Sequence, residues 1–132
     1  MPLYEPQIAG SEAAQVTATG TITTTSTTPV LATGMTITPS AGTYLVYFIS
    51  GSYHTTIGAG AYVELSIYVG GAQEPASIVQ CSDDPPYITP FCCVDIAVVN
   101  GSQAIEGRWC RTAGAGTASL LGTRTLTYVK IA

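Results

Sequence analysis

The sequence predicts an all-β protein, an antiparallel sandwich or barrel. Three observations carry that expectation. Only 9% of the 132 residues are charged while 46% are apolar, and Thr, Gly and Ser supply most of the remaining polarity. Thr, Val, Ile and Tyr suit a pleated surface, whereas the helix formers Lys, Glu and Arg are scarce. Turn signals recur roughly every 8–12 residues, with no amphipathic helical period between them. The length suits one domain, which would bury roughly two-thirds of its unfolded surface without help from disulfides or metals.

Residues 1–14, MPLYEPQIAGSEAA, have prolines at positions 2 and 6 and no periodicity, so they are expected to form an extended arm. Residues 15–132 would then be the folded domain. Leu3, Tyr4 and Ile8 are the apolar residues with which the arm would lie on a partner; a frayed terminus is the alternative. QVTATGTITTTSTT alternates loosely and predicts strand, with Gly20 as a bulge or bend. A short strand follows in PVLATGMTI, then a turn from Pro39 to Gly42.

SAGTYLVYFIS, residues 40–50, departs from ordinary alternation. Tyr44, Val46 and Phe48 share one face, and Leu45, Tyr47 and Ile49 share the other. Both faces are apolar, so both need a cover. AYVELSIYVGG alternates cleanly, with Val63, Leu65, Ile67 and Val69 on one face and Tyr62, Glu64, Ser66 and Tyr68 on the other. Gly70-Gly71 signals a hairpin, with ASIVQCS as its return strand. DDPPYITP is a rigid loop that cannot sit inside a sheet. FCCVDIAVVNGSQAIEGRWCRTA predicts a second hairpin about Asn100-Gly101, with Val94, Ile96 and Val98 on one face of its first strand. TASLLGTRTLTYVKIA predicts two closing strands around Gly122.

Charge and composition limit the partners. The net charge is −4 with four cationic side chains, too few for a phosphate-binding patch or a polybasic lipid-binding surface. No apolar run approaches the ~20 residues of a membrane helix. The first residues lack a basic n-region and an apolar h-region, so the chain is expected to be soluble and not exported by the general secretory route.

Catalytic and metal signals are weak. His54 is the single histidine and has no paired carboxylate in its sequence neighbourhood. Cys81, Cys92, Cys93 and Cys110 contain no C-x₂-C pair, which argues against zinc. Reduced thiols are the default reading. A disulfide from Cys81 to Cys92 or Cys93, or a bridge between subunits, are the alternatives. Cys92 and Cys93, being adjacent, should point to opposite faces. Asp83-Asp84 is a meagre start for calcium in the loop 82–90. Glu64 is expected to pair across strands with Arg108 or Arg124. No cofactor or metal is expected.

GMTITPSAGTYLVYFISGS, then VELSIYVGG, then ASLLGTRTLTYVKI at the C-terminus resemble the tumour-necrosis-factor-like jelly roll. That is the fold of complement globular heads and of many small phage and bacterial surface proteins. The resemblance covers roughly residues 20–132, and PSAGTYLVYFISGS is its most specific piece. It implies a ten-stranded, two-sheet jelly roll assembled as a tight homotrimer. The sequence shows neither the Gly-X-Y repeats nor the membrane anchor of animal members. The resemblance is therefore to bacteriophage virion proteins, such as trimeric capsid decoration (cement) proteins.

On that reading the protein is not an enzyme. It is made in the host cytoplasm and sits on the outer capsid surface, with the major capsid protein and its own copies as partners and neither nucleic acid nor membrane. Leu45, Tyr47 and Ile49 form the trimer seam, extended by Tyr62 and Tyr68. The loops 52–60 and 82–90 face outward or toward neighbours. The alternative is a fibre or tail tip that binds a host receptor or glycan through Tyr53, His54 and Tyr87, whose rings can stack on sugars.

Overall fold

A computed structural model of the chain describes residues 12–54, 62–81, 89–112 and 116–132. The side chains of Ser52, Tyr53, His54, Thr89 and Phe91 lie outside that description. Among the described residues ten strands run β1 Ala13–Ala18, β2 Ile22–Thr24, β3 Val30–Ile37, β4 Gly42–His54, β5 Val63–Val69, β6 Ala72–Gln73, β7 Val79–Cys81, β8 Thr89–Val99, β9 Ile105–Arg111 and β10 Ala118–Lys130. They form two five-stranded antiparallel sheets. Sheet 1 has the order β1-β10-β4-β8, with β2 also on β10; sheet 2 has the order β3-β9-β5-β6, with β7 also on β5. The β1 strand starts at Ala13, so the domain reaches slightly into the segment expected to be arm.

The core lies where the alternation places it. Tyr44, Val46 and Phe48 are fully buried, as are Val63, Leu65 and Ile67 from the facing sheet. Tyr44 and Tyr128 meet edge to face, with centroids 5.1 Å apart. Such a pair contributes about 1 kcal/mol beyond its buried area. Gly107 is needed for close approach. A Cβ there would stand 2.8 Å from the Phe48 ring, so the missing side chain is what lets Phe48 of sheet 1 lie against β9 of sheet 2.

Gly70 and Gly71 have φ of 58° and 84°, and β5 and β6 pair through Val69 and Ala72 across them. That is the two-residue hairpin expected, because its twist needs two left-handed residues. Three other expectations are corrected. The return strand is broken: β6 gives way to a 3-10 turn at Pro75–Ser77 before β7 begins. The Ser77 hydroxyl holds that turn, accepting from Ile67 N at 2.8 Å and donating to Glu74 O at 2.7 Å.

The Asn100-Gly101 turn is not a hairpin. β8 pairs with β4 in sheet 1, while β9 pairs with β3 and β5 in sheet 2. Asn100 Oδ1 accepts from Ser102 N and Oγ, which fixes a crossing between sheets. Finally, the two closing strands are one, β10. It bends at Gly122, φ 69°, where its register against β4 slips between Leu121 and Thr125.

Two polar links tie the sandwich ends. Arg124 is only 3% exposed, and it donates from Nε to Thr33 O at 3.0 Å and from Nη1 to Gly20 O at 2.8 Å. It joins the β1–β2 bend to β3. At the end where β10 finishes, the Glu12 carboxylate accepts from Ser40 Oγ at 2.5 Å and lies 3.6 Å from Lys130 Nζ. The Ser40 bond is the main cause holding the Glu12 carboxyl below its ordinary value.

Candidate functional site

The strand register assembles the outer face of sheet 1 row by row. Ile96, Leu45, Val129 and Ala13 lie abreast across β8, β4, β10 and β1. Val94, Tyr47, Thr127 and Gln15 form the next row, and Cys92, Ile49, Thr125 and Thr17 the one after. Thr43 and Val98 pair at the other end. None of these residues is charged. The exposed large apolar side chains are concentrated at the β4–β8 side: Ile49 is 44% exposed, Val94 42%, Ile96 48% and Val98 69%. The β1–β10 side is more polar, with Gln15 Nε2 donating to Thr127 Oγ1 at 3.1 Å. An apolar, charge-free sheet face of this kind is the composition of an interface core.

The outer face of sheet 2 is built differently. Arg108 lies over the Tyr68 ring, 4.4 Å from its centroid, and holds Glu106 at 2.6 Å. Glu64 accepts from Gln73 at 3.3 Å and from Gln80 at 2.9 Å. Glu64 therefore bonds amides rather than the expected arginine; Arg108 is engaged by Glu106, and Arg124 is held by backbone carbonyls. Burial beneath these side chains is the main cause pushing the Tyr68 hydroxyl above its ordinary value.

The expected seam is thus divided. Leu45, Tyr47 and Ile49 stand together on sheet 1. Tyr68 belongs to the charged outer face of sheet 2. Tyr62 sits at the entry to β5, bonded through its backbone to Thr112. Neither tyrosine extends the sheet 1 face, because β5 pairs in the other sheet. The residues that do extend it are Val94, Ile96 and Val98. Their alternation is visible in the sequence, but the β4–β8 register that sets them beside Leu45 and Tyr47 is not.

Leu3, Tyr4, Ile8, Tyr87, Asp83 and Asp84 lie outside the described residues. Tyr53 and His54 occupy the last positions of β4, paired with Ser119 and Ala118. Cys92, Cys93 and Cys110 are free thiols. Cys92 is exposed and Cys93 is buried, on opposite faces as expected. Burial pushes the Cys93 thiol up to about 12 and the Cys110 thiol up to about 11. Neither is a nucleophile at neutral pH. Among the described residues, no three His, Cys, Asp or Glu side chains gather as metal ligands.

The architecture matches a solved structure. Eiger TNF from S. frugiperda aligns with a TM-score of 0.56 at 15% identity, over 91% of this chain and 92% of that one. The fold is a TNF-like jelly roll. Two weaker likenesses are to much longer chains. Latent PorU from Porphyromonas gingivalis gives a TM-score of 0.43 at 13% identity, over 85% of this chain and 10% of that one. The VP2 subviral particle of infectious bursal disease virus gives 0.47 at 12%, over 92% of this chain and 38% of that one. No family model matches the sequence, and neither does any curated protein.

Proposed function

We propose that this chain is a non-enzymatic structural protein of a bacteriophage virion. It acts as a homotrimer that decorates and reinforces the capsid shell. The observation that carries the reading is the charge-free outer face of sheet 1, with Leu45, Tyr47, Ile49, Val94, Ile96 and Val98 beside one another. A second copy of the chain is its occupant.

The disposition of the cations supports an apolar mode of contact. Arg108 holds Glu106, Arg124 is buried against carbonyls, Lys130 reaches Glu12 and Ala41 O, and Arg111 Nε donates to Thr25 O. All four are engaged within the chain, which leaves apolar area rather than charge to draw partners together. Capsid binding would then work by avidity. Three linked copies each present an arm with Leu3, Tyr4 and Ile8, so the second and third contacts form at high effective concentration.

The native mass of the purified protein tests the trimer. Co-sedimentation with empty capsids tests decoration, and deleting residues 1–11 should abolish it. A monomeric mass would overturn the assembly, and absence from the capsid pellet would overturn the role.

The second reading, a receptor- or glycan-binding tip, draws on one feature of the topology. β4 ends at His54, which pairs with Ala118 at the start of β10, while β8 starts at Thr89 beside Ser52. Val63 at the start of β5 pairs with Cys81 and Arg111. The described strand ends at His54, Val63, Cys81, Thr89, Arg111 and Ala118 therefore lie at one end of the sandwich, the end where Tyr53 and His54 sit; Tyr87 lies outside the described residues. Adsorption to host cells, blocked by free protein, would favour that reading.

A further inference from the structure

β8 is the longest edge strand among the described residues, and it runs against β4 for eleven pairs without a slip. The other edges are blunted. β3 slips in register between Leu31 and Thr36, with Gly34 at φ 85°; β6 and β7 have two and three residues; β1 exposes Gln15 and Thr17. A long, regular edge with apolar residues on its outer face is a template for strand addition.

The direction of its backbone groups follows from one residue of β4. Thr43 N donates to Ala132 O at 2.7 Å, and Thr43 O accepts from Ile131 N at 2.8 Å, so both groups of Thr43 face the β10 side. Antiparallel alternation then turns Tyr44, Val46 and Phe48 toward β8, where they meet Ala97, Asp95 and Cys93. The even-numbered residues of β8 accordingly point their N–H and C=O groups at the free edge. Position 90 is Pro, which has no N–H to offer. At position 96 the N–H is taken within the chain: Asp95 Oδ1 accepts it at 2.7 Å.

Asp95 is a costly way to fill its position. Its neighbours on the inward face, Cys93, Ala97 and Val99, are buried and apolar. Asp95 Oδ2 is itself buried with no hydrogen-bond partner. An unpaired carboxylate oxygen destabilises the fold, and an apolar β-branched residue would suit the site better. We infer that Asp95 is a gatekeeper that, with Pro90, closes the β8 edge to strand addition and leaves the outer face of sheet 1 as the route by which copies associate. It acts by withdrawing the Ile96 donor and by placing an inward carboxylate that an added strand would bury further.

The test is Asp95→Val, followed by sedimentation velocity and thioflavin fluorescence over a concentration series, with thermal melts in parallel. The variant should melt at or above the parent temperature. It should nevertheless form species larger than the parent assembly, with strand-rich aggregation at least about tenfold faster. That combination separates an opened edge from aggregation through unfolding. An unchanged size distribution would overturn the inference. So would a smaller assembly, which would mean that Asp95 supplies a contact between copies. Should the valine variant fail to fold, Asp95→Asn keeps the acceptor for Ile96 and loses only the charge. Parent-like sizes at neutral pH together with an aggregation rate equal to the parent's would then dismiss the charge as part of the gate. The outer face as the route of association rests on the proposed trimer, and a wild-type monomer would overturn it, whereas the Asp95→Val sizes decide the closed edge by themselves.

Discussion

Replacing Ile96 with Asp should dissolve the proposed trimer without unfolding its subunit. Ile96 sits mid-row beside Leu45 on the outer face of sheet 1, and about half of its surface is still exposed in the single chain. Fully burying such a side chain contributes about 1.5–3 kcal/mol, so covering the remaining half in an interface contributes about 1 kcal/mol per copy. Ile96→Ala therefore costs about 3 kcal/mol over three copies, roughly a hundredfold in the trimer equilibrium. Aspartate adds the desolvation of a charge on a face that has no cation to meet it, several kcal/mol per copy. Sedimentation equilibrium at increasing concentration reads both effects. The Ala variant should dissociate at measurably higher concentration than the parent, and the Asp variant should stay monomeric throughout. Because the side chain contributes little to the core, circular dichroism of the Asp variant should show an intact fold. An Asp variant that assembles as the parent does would refute the face as the seam.

Three further outcomes follow from the interior and the sandwich ends. Gly107→Ala forces a Cβ to 2.8 Å from the Phe48 ring, and the resulting strain should cost about 1–3 kcal/mol in denaturant unfolding. Arg124→Ala removes two charge-assisted bonds and strands the Gly20 and Thr33 carbonyls; a loss of about 3 kcal/mol is expected in the same measurement. The lowered Glu12 carboxyl contributes stability above the ordinary carboxylate range and loses it as pH falls through its folded value. Thermal melts of Glu12→Gln should therefore lie below the parent at neutral pH and converge with it in acid, where Glu12 is protonated in both folded and unfolded chains.

The alternation in residues 63–69 was enough to name the core face of β5, because period-two burial is local; in residues 44–49 it separated two apolar faces, and the assignment of Leu45, Tyr47 and Ile49 to the outer one came from the family resemblance. Which strands become neighbours is not local. Asn100-Gly101 makes the same tight turn whether the next strand pairs with the last or crosses to the other sheet. Only the competition of β4 for β8 and of β5 for β9 decides it. That one ambiguity explains the misplacing of Tyr62 and Tyr68 beside Leu45, and the failure to join Val94, Ile96 and Val98 to the same face. The break at Pro75–Ser77 is different. Its proline could be seen, but the Ser77 hydroxyl that takes over the Ile67 backbone donor has no sequence signature. Asp95 shows the reverse: a carboxylate amid apolar alternation is conspicuous in FCCVDIAVV, yet its meaning depends on knowing that β8 is an edge.

The apolar face and the closed edge answer the same physical problem. A sheet edge offers a fresh row of donors and acceptors after every addition, so association through it propagates. A twisted apolar face is consumed when copies close around an axis, so association through it stops. A chain in which only 9% of the residues are charged has little general repulsion to keep unwanted contacts apart. It must instead choose where to be adhesive. Placing the exposed Ile and Val residues on the outer face of β8, while Pro90 and Asp95 withdraw donors from its rim, makes that choice within a single strand. On the proposed reading, finite assembly depends on two neighbouring side chains that point in different directions, Ile96 outward and Asp95 inward. Substituting each should move the assembly in opposite senses: smaller for Ile96→Asp, larger for Asp95→Val. Any result in which both substitutions shift the size distribution in the same direction would show that β8 acts through its overall stability rather than through this division of roles.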